Sequence, residues 1–259
     1  MCCLIDHSIS QKMVSDPLVL PSELLHAFTF VCHSGSTDEQ VLAHSGQASP
    51  NPDFSSGFQA WIRDIRAGSA TSCGNHIKSS CCLIAFNADA AGVLGIVPLE
   101  SQDGGKMAVS QLCCHSDVVT DFDFSPFDAL LLATGSADET VKVWRLSESG
   151  RDLPSCPGMT LGPAGCQVET LQFHPTADGV LVSGAGRTAK VWDVAQQKPL
   201  TALEPHGDLI QSVAWKQDGA LLGTSSKDKK LRIFDPRTKP AAAQVFPAAE
   251  RNSFSVIEV

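Results

Sequence analysis

The chain is short of charge, and of positive charge most of all. Only 18% of its 259 residues are Asp, Glu, Lys or Arg, and 19 basic residues face 28 acidic ones for a formal charge of −9. A nucleic-acid-binding domain carries a basic footprint, and none is present. The densest basic stretch, Lys227, Lys229, Lys230 and Arg232, is broken by Asp228 and followed by Asp235, so it reads as a solvated turn. No apolar run reaches the length of a membrane span. Residues 17–32 come nearest, but Pro21, Glu23 and His26 interrupt them. The N-terminus lacks an h-region, because Asp6 and His7 follow Met1–Ile5 at once, and no N-x-Ser/Thr acceptor occurs anywhere. These absences predict a cytosolic protein. Ten cysteines are present, yet none has C-x-x-C spacing, and the three adjacent pairs (Cys2–Cys3, Cys81–Cys82, Cys113–Cys114) read as reduced thiols. Cys113–Cys114–His115 has no second ligand pair at finger spacing, so neither a metal nor another cofactor is predicted. Cys2 and Cys3 are candidate acylation sites, which would give peripheral membrane association.

What the chain does have is mean hydropathy near zero and 43% apolar residues, enough for a core. Residues 1–60 show no period. A short helix is predicted over 22–31 with Ser22 as its N-cap, and Ser34–Gly57 reads as an irregular linker. From about residue 80, β-prone runs alternate with turn signals: 81–86, 92–97, 107–112, 118–124, 130–134, 141–146, 168–173, 180–183, 189–194, 200–203, 209–215, 221–225 and 231–235. Strands this short and this evenly spaced predict an all-β architecture.

The runs also repeat. Phe124, Phe173 and Trp215 open equivalent segments 49 and 42 residues apart, and Trp144, Trp192 and Phe234 close them at 48 and 42. Within each unit the two aromatics lie 20, 19 and 19 residues apart. Periods near the ~40–45 residues of a WD-repeat blade predict a β-propeller array. His115 precedes Asp138 by 23 residues and His206 precedes Asp228 by 22. In such a blade a loop His, a turn Asp, a strand hydroxyl and a Trp form a hydrogen-bonded brace. His115, Thr134 or Ser136, Asp138 and Trp144 supply all four parts. His206, Thr224 or Ser225, Asp228 and Phe234 supply three, since Phe cannot donate. The middle unit keeps Ser183 and Trp192 but has Gly186 where the Asp should stand. A His115–Asp138–Ser136 triad could be drawn, but the same trio recurs at repeat spacing, as a structural device does, so the chain is predicted to be no enzyme. Ser183–Thr188 lacks the P-loop pattern.

Several segments carry a resemblance to a family. WIRDIRAG (61–68), NHIKSSCCLIAFN (75–87), GVLGIVPL (92–99), HSDVVTDFDFSPFDALLLATGSADETVKVWRL (115–146), VETLQFHPTADGVLVSGAGRTAKVWD (168–193) and HGDLIQSVAWKQDGALLGTSSKDKKLRIFDPRTKP (206–240) resemble the coronins, in coronin order, and most of all their long, tandem-propeller branch. The resemblance covers residues 61–240. It implies about three blades of a seven-bladed propeller, between an irregular segment (1–60) and a divergent tail (241–259). Residues 1–60 do not match the family's short basic opening motif, and the sequence departs again after Pro240, so a truncated or alternatively spliced product is expected. An open arc of blades would leave apolar faces bare and favour self-association.

The functions implied are F-actin binding, cytoskeletal organisation and Golgi or post-Golgi transport alongside trafficking adaptors. A basic residue in a D-x-R stretch contributes to actin binding in the family, and the matching position is Arg66 of Asp64–Ile65–Arg66. Arg63 and Lys78 would extend a basic strip towards acidic actin. A generic WD scaffold without actin contact is the alternative. Ile257–Glu258–Val259 could add as a strand to a PDZ-type groove.

Overall fold

In each of the last three four-stranded sheets, one row of three side chains runs straight across the first three strands. Phe124 faces Leu132, which faces Trp144. Phe173 faces Leu181, which faces Trp192. Trp215 faces Leu222, which faces Phe234. The sequence spacing of 19–20 between paired aromatics is thus the length of two strands and two turns.

The computed structural model describes residues 67–68, 72–99 and 108–247, all within one compact unit that begins at Ile62. The first sheet comprises β1 (Ile77–Ser79), β2 (Leu83–Asn87), β3 (Val93–Pro98) and β4 (Ser110–Cys113). The second comprises β5 (Val119–Phe124), β6 (Leu131–Ser136), β7 (Val141–Arg145) and β8 (Met159–Leu161). The third comprises β9 (Val168–Phe173), β10 (Val180–Ala185), β11 (Thr188–Asp193) and β12 (Lys198–Ala202). The fourth comprises β13 (Ile210–Trp215), β14 (Leu222–Ser226), β15 (Lys230–Phe234) and β16 (Gln244–Pro247). Every sheet is an antiparallel meander in chain order, and the first strands of neighbouring sheets lie side by side.

The architecture is the all-β WD-type array read from the sequence, with four sheets described in place of about three. The extra sheet escaped the repeat count because its equivalent row across the first three strands is Ser79, Ile84 and Val97, with no aromatic to mark it. β1 and β8 are three residues each, too short for a pattern to show. β16 lies in the segment read as a divergent tail, yet it pairs with β15 from Lys230–Pro247 to Ile233–Gln244. The predicted 81–86 strand begins later, at Leu83, because Ser80 Oγ accepts the backbone N–H groups of Cys82 and Leu83 and makes residues 80–82 a turn. The predicted helix over 22–31 and the linker Ser34–Gly57 lie outside the described residues.

The two-residue strand period lets each sheet serve two cores. Leu132 and Trp144 join Leu83, Leu94, Ile96 and Leu112 between the first and second sheets. Their neighbours Ala133 and Val143 point the other way and meet Leu171, Leu181 and Trp192 between the second and third. Val182 and Val191 then meet Val213, Trp215 and Phe234 between the third and fourth. Trp144, Trp192 and Phe234 therefore sit in equivalent surroundings, each against the sheet before its own.

The first strands lie next to one another without sharing a backbone ladder, so side chains meet the N–H groups left over. Asp121 on β5 is buried at 1% exposure. Its Oδ2 accepts the N–H of Leu171 at 2.8 Å, and its Oδ1 accepts the backbone and side-chain N–H groups of Asn75 at 2.8 and 2.9 Å. Asp123 accepts Phe173 N–H at 3.0 Å, and Gln172 accepts Trp215 N–H at 2.9 Å. Burial raises the Asp121 pKa, while its bonds from Asn75 and Leu171 pull the other way. Asp121→Ala would strand buried donors in two neighbouring segments and is expected to destabilise the fold by about 3 kcal/mol. The exposed Asp152→Ala should stay within about 0.5 kcal/mol of wild type. Urea unfolding of the two variants measures the difference.

Candidate functional site

The recurring polar brace joins one turn to one strand in the second sheet. Trp144 Nε1–H donates to Thr134 Oγ1 at 3.0 Å, Thr134 Oγ1 lies 2.8 Å from His115 Nε2, and His115 Nδ1 lies 2.9 Å from Asp138 Oδ2. Burial lowers the His115 pKa against the pull of Asp138, so the ring is neutral. Its Nδ1–H then donates to the carboxylate and its Nε2 accepts the threonine hydroxyl, giving a continuous relay from indole to carboxylate. Asp138 Oδ2 also accepts Ser116 N–H, and Oδ1 accepts the N–H and hydroxyl of Thr140. Those bonds hold Glu139 between Asp138 and Thr140 at φ 68°, a left-handed backbone that costs a non-glycine residue roughly 1–2 kcal/mol.

The hydroxyl in the relay is Thr134, at 0% exposure, and not Ser136. Ser136 Oγ instead accepts Asp138 N–H at 3.1 Å and donates to the Asp117 carbonyl at 3.3 Å. The residue types of Thr134 and Ser136 leave the choice open; the pleat decides it, because Thr134 stands on the same face as Leu132 and can reach across to Trp144. Ser116 and Thr140, which complete the carboxylate's shell, went unread in the sequence, although Ser116 adjoins His115 and Thr140 stands two residues from Asp138.

In the fourth sheet His206 Nε2 lies 2.7 Å from Thr224 Oγ1 and Nδ1 lies 3.2 Å from Asp228 Oδ2, which also accepts Gly207 N–H at 2.8 Å. Phe234 brings no donor. The third sheet keeps only the first link, Trp192 Nε1–H to Ser183 Oγ at 2.8 Å. Its turn is tightened by Gly186 at φ 56°, where a Cβ would come within 2.7 Å of Cys166 Sγ.

The basic strip read from the sequence is only partly within the described residues. Arg63 and Arg66 lie outside them. Lys78, on β1, is half-buried and places its ammonium 3.4 Å from Asp123. That neighbouring carboxylate raises the lysine pKa against burial. Lys78 thus ties the first sheet to the second. The cluster at 113–115 is dispersed: Cys113 is exposed, Cys114 is buried, and both ring nitrogens of His115 are engaged.

The WD domain, G-beta repeat family matches residues 106–145 and 197–235. Each match spans the last strand of one sheet and three strands of the next, so one sequence repeat clasps two sheets. The matched stretches are those holding a His–Asp pair. Coronin-7 of Bos taurus is 69% identical over 194 residues, which are 75% of this chain and 21% of that protein. The chain belongs to the coronin family. Coronin-7 of Homo sapiens is 66% identical over the same length, and villidin of Dictyostelium discoideum is 33% identical over 185 residues. The solved WD40 domain of Toxoplasma gondii coronin superposes with a TM-score of 0.66 at 28% identity, covering 73% of this chain and 49% of that one. This coronin chain spans about a fifth of the length of the Coronin-7 proteins it matches.

Thr134→Val in this coronin removes the hydroxyl from between two buried nitrogens and is expected to cost about 2–3 kcal/mol in chemical unfolding. Thr224→Val should cost about 1 kcal/mol less, because Phe234 presents no N–H to strand. Stability should also fall as pH drops from 7.5 to 5. Burial lowers the pKa values of His115, His174 and His206, so the unfolded chain takes up protons that the folded one refuses. A second loss follows below about pH 4, where this carboxylate takes up a proton in the unfolded chain that folded Asp138 refuses. Burial opposes its ionisation, but bonds from Thr140, His115 and Ser116 hold its carboxyl below the usual range. Thermal melts across this pH range read both steps.

Proposed function

We propose that this coronin chain is a non-enzymatic adaptor that binds F-actin and supports actin organisation and Golgi or post-Golgi vesicle traffic from the cytosol. The observation that carries the reading is its 69% identity with a Coronin-7 across 194 residues, which takes in most of the described sheets. The absence of chemistry is supported by the brace itself. His115, Thr134 and Asp138 satisfy one another, and Ser136 is bonded away from the imidazole, so the drawn triad has no hydroxyl poised for attack. Among the described residues, no helix is long and apolar enough to cross a membrane, which suits recruitment to membranes through partners or acylated Cys2 and Cys3. The formal charge of −9 supports a partner class other than nucleic acid. The outer strand of the fourth sheet, with Val245 and Phe246 half exposed on β16, supports self-association of the isolated chain.

Arg66 and Arg63 carry the proposed actin contact. Arg66→Asp is expected to weaken co-sedimentation with actin filaments at least about tenfold at physiological salt, because it reverses a charge facing an acidic surface. Unchanged co-sedimentation would remove Arg66 from the site. The alternative, a WD scaffold without actin contact, is favoured by one observation: Lys78 is engaged with Asp123, which takes one of the three cations out of the strip. Wild-type chain that stays in the supernatant over filaments would decide for it.

A further inference from the structure

The turn between β1 and β2 brings two thiols together. Cys81 and Cys82 place their Sγ atoms 3.5 Å apart, and neither forms a disulfide. Cys82 is half-buried and packs on the core between the first and second sheets, which anchors it. Cys81 is exposed, which gives access. Ser80 Oγ, accepting the N–H groups of Cys82 and Leu83 at 3.2 and 3.1 Å, holds the backbone between them.

The pair is poorly built to close on itself. Adjacent Cα atoms across a trans peptide are about 3.8 Å apart, short of the roughly 4.4–6.8 Å that disulfides span. It is well built to be bridged by one further atom. A centre holding each sulfur at about 2.3 Å, the length of a metal–thiolate bond, spans a 3.5 Å gap with an angle of about 100°. That is close to the pyramidal angle of trivalent arsenic, a soft centre matched to sulfur. Cys113–Cys114 is an internal contrast with the same two residue types. One thiol is exposed there, and the other is buried and donates to the Leu112 carbonyl at 3.4 Å.

We propose that Cys81 and Cys82 form a two-thiol binding site for trivalent organoarsenicals. Binding exchanges the arsenic–oxygen bonds for two arsenic–sulfur bonds. The two thiol protons leave with the oxygen as one water, and arsenic stays trivalent, so no oxidant or reductant is needed. The product is a nine-membered ring of arsenic, the two sulfurs, the two Cβ–Cα units and the peptide C–N between them, a backbone stretch that the fixed turn already holds.

Phenylarsine oxide on the intact, folded chain tests this. Remaining thiols are alkylated with iodoacetamide, the arsenical is released with a dithiol, and the liberated thiols take a second label. Trypsin cuts after Lys12, Lys78, Lys106 and Lys142, so Cys2–Cys3, Cys81–Cys82 and Cys113–Cys114 fall in separate peptides. Both thiols of the 79–106 peptide should carry the second label, with release by a dithiol and not by a monothiol. Cys81→Ser, an exposed and conservative change, should lower arsenical retention on order 10²–10⁴-fold through loss of the second attachment. Iodoacetamide on both Cys81 and Cys82 in the first step would overturn the proposal. So would equal protection of Cys113–Cys114, or undiminished retention in Cys81→Ser.

Discussion

The fold depends on how four separate ladders are made to behave as one body. Each sheet satisfies its own backbone, and the first strands of neighbouring sheets then run side by side with N–H groups that no ladder reaches. Carboxylates and amides on the strands themselves meet them: Asp121 takes Asn75 on one side and Leu171 on the other, Asp123 takes Phe173, and Gln172 takes Trp215. A fully buried aspartate is costly alone and acceptable here because two neighbouring segments donate to it. Apolar contact between sheet faces is broad and tolerant of sliding; these bonds fix the relative height of the sheets, which apolar packing by itself does not.

Much of this was legible in the sequence, and the reasons are particular. The aromatic spacing could be read because Phe124 and Trp144, Phe173 and Trp192, and Trp215 and Phe234 end the same cross-strand rows, so strand length and turn length are both written into one number. His115 with Asp138, and His206 with Asp228, could be paired because they recur. The first sheet could not be counted, since its row holds no aromatic. The bonds between sheets were invisible, because Asp121 and Asp123 alternate with Phe122 and Phe124 like ordinary polar positions of a half-exposed strand. Only the placement of β9 beside β5 shows that this face of the strand meets protein. The choice of Thr134 over Ser136 likewise needs the pleat.

Within the coronin family the brace separates what is structural from what is available to partners. Its histidines and aspartates are spent on turns, and the third sheet does without them, relying on Gly186 and the packing of Cys166. The repeat period marks these framework residues and no exposed position, which is why repeat reasoning identifies the framework far better than a contact surface.

The alternation of Leu132 with Ala133, and of Leu181 with Val182, has a consequence for how such chains change length. Each middle strand feeds a different hydrophobic layer with its odd and even residues. Deleting one residue inside β6 or β10 would exchange the two sets and spoil both layers together. Insertions are tolerable only where the chain leaves the sheets, as in the long connection between β7 and β8. The repeats therefore drift from 49 to 42 residues in overall length while the distance between paired aromatics hardly moves: evolution edits the connections and copies the paddles whole.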